Sequence, residues 1–175
     1  MSVLDLVVAP DPVLKKRAQE VEEVNDEIRS IMDDMLKIMY EGNGAGLAAN
    51  QVGVLKRIIV VDLQEDDDVK RESGFYPLFM ANPVITNSSD DKAKAIEGCL
   101  SVPEERIEVS RSFLINVEYL DYNNNLQKLE ATGWLARAIQ HEVDHLNGKT
   151  LLDYLSSLKR DVVLRRLVKF KRLTA

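Results

Sequence analysis

At 175 residues with 45% hydrophobic content, the chain is long enough to enclose a substantial core as one domain over 1–175. Its apolar runs are far too short to cross a bilayer, its one cysteine excludes an internal disulfide, and the opening Met1-Ser2-Val3-Leu4-Asp5 lacks the basic start of a signal or transit peptide. A cytoplasmic protein that keeps off membranes is expected, and its 29 acidic and 23 basic residues give a net charge of −6.

A short helix is expected over 12–20 and a longer amphipathic one over 26–40, where Ile28, Ile31, Met32, Met35, Leu36 and Met39 recur at helical spacing behind Asn25-Asp26-Glu27. Gly42 and Gly44 end it. The next run, Gly44-Ala45-Gly46-Leu47-Ala48-Ala49, matches the dinucleotide fingerprint G-x-G-x-x-G/A. That fingerprint has to follow a strand and open a helix, whereas this run follows a helix. No Lys-Ser/Thr comes after it, which excludes a phosphate loop. The glycines are read instead as letting the backbone turn tightly or approach a ligand.

A strand is expected around 57–63, carrying Ile58-Ile59-Val60-Val61. The polar stretch over 64–74, with Glu65-Asp66-Asp67-Asp68, reads as a solvated loop, and no role is assigned to it. Strands follow over 78–84, 106–111 and 113–121, the last with Ile115, Val117 and Tyr119 alternating with Asn116 and Glu118. Asn123-Asn124-Asn125 turns the chain into a strand over 126–130. A helix then opens behind Thr132 as N-cap, with Trp134, Leu135, Ala138, Ile139, Val143 and Leu146 at three- and four-residue intervals, and Asn147-Gly148 stops it. Strands and helices do not alternate regularly, so the expected fold class is α+β, with antiparallel β-sheets packed around this central helix and a C-terminal amphipathic helix.

Both histidines of the chain lie on that helix, in His141-Glu142-Val143-Asp144-His145, an H-E-x-x-H pattern. Residues four apart share a helix face, so both imidazoles can reach one ion while Glu142 points toward a bound water. Ordinary polar packing is the plain alternative, but buried imidazoles need partners, and a metal is the simplest. Catalytic sites of this type take three protein ligands and leave one position for water. With no third histidine, the third ligand is a carboxylate, as in H-E-x-x-H endopeptidases, or Cys99 in the Gly- and Pro-punctuated stretch Glu97-Gly98-Cys99-Leu100-Ser101-Val102-Pro103. A non-catalytic metal- or peptide-binding module is the remaining class.

Three segments resemble the signature motifs of the peptide deformylase family, and in that family's order: Gly44-Ala45-Gly46-Leu47-Ala48-Ala49-Asn50-Gln51, Glu97-Gly98-Cys99-Leu100-Ser101, and Gln140-His141-Glu142-Val143-Asp144-His145-Leu146. The resemblance extends over nearly the whole chain. It implies that Cys99, His141 and His145 hold a divalent ion with water in the fourth place, that Glu142 is the general base and acid, and that Gln51 and the Leu100 N–H serve the oxyanion. The implied substrate is the N-formyl group on the initiator methionine of a nascent polypeptide, with formate as product and a monomer as the expected state. Iron(II) is the implied native ion, with zinc, nickel and cobalt as substitutes, since a thiolate and two imidazoles suit all four.

In the resembled family the glycine stretch (Gly44, Ala45, Gly46) and the segment at Gly98 flank the peptide, which lies between them like an added strand and is recognised through its backbone. Methionine selectivity then needs an apolar pocket, for which Trp134, Arg137, Ala138 and His141 are the candidates by position. Arg137 departs from an apolar lining, and its guanidinium is expected to point out along the rim while its stem packs.

Residues 150–175 carry seven basic and two acidic residues, a balance of +5 that leaves −11 for the rest. Arg165, Lys169 and Arg172 fall on one side of the last helix and Val163, Leu164, Leu167 and Phe170 on the other. The plain reading is a docked helix with a solvated charged face. The functional one is attachment to the ribosome through RNA phosphates, as the resemblance to bacterial deformylases with a helical C-terminus implies.

Overall fold

The computed structural model describes residues 4–174, so Met1-Ser2-Val3 of the opening segment and Ala175 lie outside the described residues. Its elements are, in chain order, α1 (Asp26–Glu41), β1 (Gly46–Ala48), β2 (Ile58–Val61), β3 (Leu78–Ser88), β4 (Lys92–Cys99), β5 (Val102–Ser112), β6 (Leu114–Leu120), β7 (Leu126–Thr132), α2 (Gly133–Leu146) and α3 (Ser157–Thr174). No described helix is long and apolar enough to cross a membrane.

Five strands form one antiparallel sheet in the order β1-β2-β3-β6-β7, and β4 and β5 form a separate hairpin. Alternation along β2 shows how the sheet seats the helices, because successive side chains in a strand point to opposite faces. Ile59 and Val61 join Leu135, Ile139, Val143 and Leu146 of α2, while Ile58 and Val60 join Ile28, Met32, Met35 and Met39 of α1. All four β2 residues are fully buried, which explains their continuous apolar run. On the far side of α2, the β4–β5 hairpin meets α3 through Val102, Ile107, Val109, Val163 and Leu167. The architecture is the expected α+β one, with antiparallel sheets around the helix that carries both histidines.

The C-terminal end of α2 is fixed by a distant side chain. At its C-terminus the buried Arg57 donates from Nη1 to the Leu146 carbonyl at 3.0 Å and from Nη2 to Asn147 Oδ1 at 3.1 Å. A cation at that end also complements the helix dipole. At the N-terminus Thr132 occupies the cap position, but its side chain makes no capping hydrogen bond. Gly133 follows with φ +59, a conformation costly for residues with a Cβ, and an added Cβ there would meet Asp68 Oδ2 at 2.5 Å.

The segment 64–74 is the largely exposed loop expected, and this proximity places part of it beside α2. Asp67 folds the segment by accepting from Arg71 Nε at 2.8 Å, Tyr76 Oη at 2.6 Å and the Val69 N–H at 3.0 Å. Its neighbour Asp68 thereby lies at the positive end of α2. The helix expected over 12–20 is reduced to a 3₁₀ turn, Pro12–Lys15, capped by Asp11. Beyond it the backbone bonds to other elements: the Ala18 N–H to Leu146, the Gln19 N–H to Leu55, and the Arg57 N–H to Gln19.

Candidate metal centre

The α2 face toward the hairpin carries His141 and His145, and β4 ends opposite it. Glu97 and Cys99 lie two apart on β4 and so share a face, with a register shift between them where the hairpin turns. The ligating atoms of Cys99, His141 and His145 all lie within 4.8 Å of one another. Cys99 Sγ is 3.4 Å from His145 Nε2. Cys99, not a downstream carboxylate, is the group that lies beside the two histidines: Asp144 is turned to Arg111 and Tyr154, and Asp153 caps Thr150.

His141 donates from Nδ1 to Glu97 Oε1 at 2.8 Å, which directs its other nitrogen toward the cluster. Burial alone would lower the His141 pKa, but Glu142, Cys99 and Glu97 overcome it and hold that ring well above the ordinary imidazole range. His145 is held well below that range, chiefly by burial and then by the neighbouring His141. Its Nδ1 and the Oε1 of Glu142 are buried without hydrogen-bond partners among the described residues. One sulfur and two imidazoles in this proximity fit a divalent cation of the zinc or iron(II) type.

Glu142 is buried against β1, and burial pushes its carboxyl up to about 7. Gly46 makes that proximity feasible, since a Cβ there would meet Glu142 Oε2 at 2.5 Å. Gln51 sits in the short 3₁₀ helix after β1 with its amide oriented by two bonds: Oε1 accepts from the Ala48 N–H at 2.9 Å, and one Nε2 hydrogen is donated to Ser101 Oγ at 3.0 Å. The same Nε2 lies 3.5 Å from Cys99 Sγ, so its donor faces the cluster. Leu100 occupies the turn between β4 and β5, with its side chain against Gly44.

The other predicted residues fall around this centre. Ala45 and Ala138 pack partly buried on the sheet–α2 core, Gly98 lies against Arg106, and Trp134 is 44% exposed at the start of α2. Among the described residues, β1 and β4 are each paired on one side only. Arg165, Lys169 and Arg172 are exposed on α3, whose Val163 and Leu167 are buried as the helical pattern predicts. Arg137 behaves differently. Its guanidinium does not run along a rim but is buried, donating to Glu97 Oε2 at 2.6 Å and to the Val109 and Ala93 carbonyls at 2.9 and 2.6 Å.

Glu97 is the residue sequence reasoning passed over, quoted within a motif and given no role. Arg111 binds it with two bonds, Nε to Oε2 at 2.6 Å and Nη2 to Oε1 at 2.9 Å. Burial would raise the Glu97 pKa, but the hydrogen bonds from His141 and Arg111 hold it down at about 2. Arg111 also reaches Asp144 Oδ2 at 2.9 Å. The available signal was the two-residue spacing of Glu97 and Cys99 on one strand.

Comparison with known proteins agrees with this geometry. The family model described as polypeptide deformylase matches residues 3–161. A peptide deformylase of Rickettsia canadensis (strain McKiel) is 57% identical over 171 residues, covering 98% of each chain. Among solved structures, peptide deformylase from Ehrlichia chaffeensis in complex with actinonin superposes with a TM-score of 0.91 at 46% identity, covering 98% of this chain and 99% of that one. The enzyme from Legionella pneumophila superposes with a TM-score of 0.87 at 36% identity, covering 99% and 98%. The three motifs, the Cys/His/His cluster and these full-length matches place the chain in the polypeptide deformylase family.

Proposed function

We propose that the chain removes the N-formyl group from the initiator methionine of nascent polypeptides in the cytoplasm, releasing formate and a free amino terminus. The observation that carries this reading is the convergence of Cys99, His141 and His145 with Glu142 and Gln51 in a member of this family. Cys99, His141 and His145 would hold a divalent ion, iron(II) natively and zinc, nickel or cobalt as substitutes, which when bound supplies Lewis acidity and an acidified water.

The chain's own residues do the rest. Glu142 accepts a proton from the attacking water and delivers it to the leaving nitrogen, so the carboxylate returns to its starting state. Its raised pKa suits both transfers near neutral pH. Gln51 Nε2, oriented by Ala48 and Ser101, and the Leu100 N–H donate to the oxyanion that forms on the formyl oxygen. The substrate backbone pairs with the open edge of β1 beside Gly44, Ala45 and Gly46, and with β4 at Gly98, which serves many sequences equally. Trp134 and Ala138 flank the methionine side chain.

The test is formate release from a formyl-Met tripeptide by anaerobically purified protein, beside the acetylated tripeptide. Formate from the first substrate alone is expected. Its absence from protein with a full complement of metal rejects the reading.

Gly46→Ala should reduce turnover by roughly a hundredfold, because the added methyl must displace the Glu142 carboxylate by about an ångström. Metal content should be unchanged, and single-turnover rates on metal-matched protein would measure the loss. Unaltered turnover would mean that Glu142 moves aside without cost.

For α3 we propose ribosome attachment by the monomeric enzyme through Arg165, Lys169 and Arg172. Arg166 is set apart, since it pairs with Glu105 at 2.7 and 3.0 Å. Because Val163 and Leu167 are part of the core, charge reversal is a cleaner test than truncation. Arg165→Glu with Lys169→Glu and Arg172→Glu should leave tripeptide turnover intact and lower ribosome affinity more than tenfold at low salt, with a flatter salt dependence. Co-sedimentation equal to that of the parent protein would discard the three residues as a ribosome contact.

A further inference from the structure

We propose that Arg137 is a positioning residue for the metal centre, acting through Glu97 on His141, and that it is no part of the substrate pocket. This rests on the reading of Cys99, His141 and His145 as metal ligands. Arg137 and His141 are four apart on α2 and therefore project from one face. They grip the two oxygens of the same carboxylate: His141 Nδ1 donates to Glu97 Oε1 at 2.8 Å, and Arg137 Nη1 to Oε2 at 2.6 Å. Arg111 spans both oxygens from β5 and fixes the carboxylate plane in that direction. Arg137 fixes it with respect to α2.

The guanidinium is itself pinned across the hairpin, to the Ala93 carbonyl on β4 and the Val109 carbonyl on β5. With 6% of its surface exposed it has little area to offer a substrate side chain. A rotation of Glu97 turns the His141 ring about its Nδ1–H, so the orientation of the ligand nitrogen depends on both arginines. Carboxylates that orient a ligating histidine typically influence metal affinity or activity by 10- to 100-fold. Two arginines and two carboxylates, Glu97 and Asp144, make this buried network charge-balanced without drawing on the histidine.

The test is cobalt(II) affinity by chelator competition, read together with kcat and KM for the formyl-Met tripeptide. Arg137→Met should weaken cobalt(II) binding about tenfold, shift the visible cobalt(II) absorption, lower kcat and leave KM within about twofold. In a Glu97→Gln background the same substitution should weaken binding no further. Arg137→Lys, which keeps the charge and a donor group, should recover most of the affinity, and Arg137→Gln provides the readout of the loss if the methionine variant does not fold. Wild-type cobalt(II) affinity in a folded Arg137→Met or Arg137→Gln protein alongside a raised KM would make Arg137 a pocket residue and overturn the proposal. An undiminished loss in the Glu97→Gln background would also overturn it, by showing that Arg137 does not act through Glu97. Failure of the parent protein to bind cobalt(II) would instead overturn the metal reading itself.

Discussion

Glu142→Ala should lower turnover of the formyl-Met tripeptide by two to four orders of magnitude, about the range contributed by a positioned general acid–base group, while leaving metal content at the parent level. The structure separates these two effects. Glu142 faces β1 at Gly46, whereas the metal donors come from Cys99, His141 and His145. Removing a buried carboxylate whose Oε1 has no hydrogen-bond partner among the described residues should not destabilise the fold. Equal metal content with turnover reduced less than tenfold would show that the proton passes through another group. Loss of metal together with activity would make Glu142 part of the ligand environment.

Gln51→Leu should reduce kcat by on the order of a hundredfold or more, as expected when one donor to a developing oxyanion is lost. It should also cost stability, because the Ala48 N–H loses the Gln51 Oε1 acceptor in a fully buried position. Such an orphaned donor costs about 1–3 kcal/mol. Gln51→Glu keeps the acceptor for Ala48 and removes the amide donor, so it separates the two effects. Both variants are expected to be slow, and only the leucine variant to melt early. A Gln51→Glu protein with parental kcat would remove the side-chain amide from the chemistry.

Much of this centre could be read from the chain because its signals are local. The H-E-x-x-H spacing needs only the pitch of one helix, and the helical period around it needs only the apolar face that α2 presents to the sheet. β4 was not legible. Lys92-Ala93-Lys94-Ala95 alternates charged with small residues, its side chains are largely exposed, and it is held by backbone pairing to β5 rather than by burial. Arg137 was misjudged for the same reason. Helical spacing placed it correctly on the His141 face, but the strand and the carboxylate that cover it come from about forty residues earlier. The role of Glu97 likewise depends on Arg111, Arg137 and His141 meeting from three elements. The segment at 64–74 is exposed as its run of acids predicts, but nothing local reveals that Asp67 bonds Arg71 and Tyr76 or that Asp68 lies beside Gly133.

The β4–β5 hairpin stands outside the main sheet, yet it supplies one of the three proposed ligands. Besides the His141–Glu97 bond, it is attached to α2 by groups that are not proposed ligands: Arg137 on Glu97, Arg111 on Asp144, and Gln140 on the Ser112 backbone. The polypeptide's own contacts therefore help to bring the three proposed ligands together. Small metallodomains that fold only around their ion lose their structure to a chelator. The hairpin here, held to α2 by its own ion pairs and hydrogen bonds, does not rely on an ion alone for its attachment.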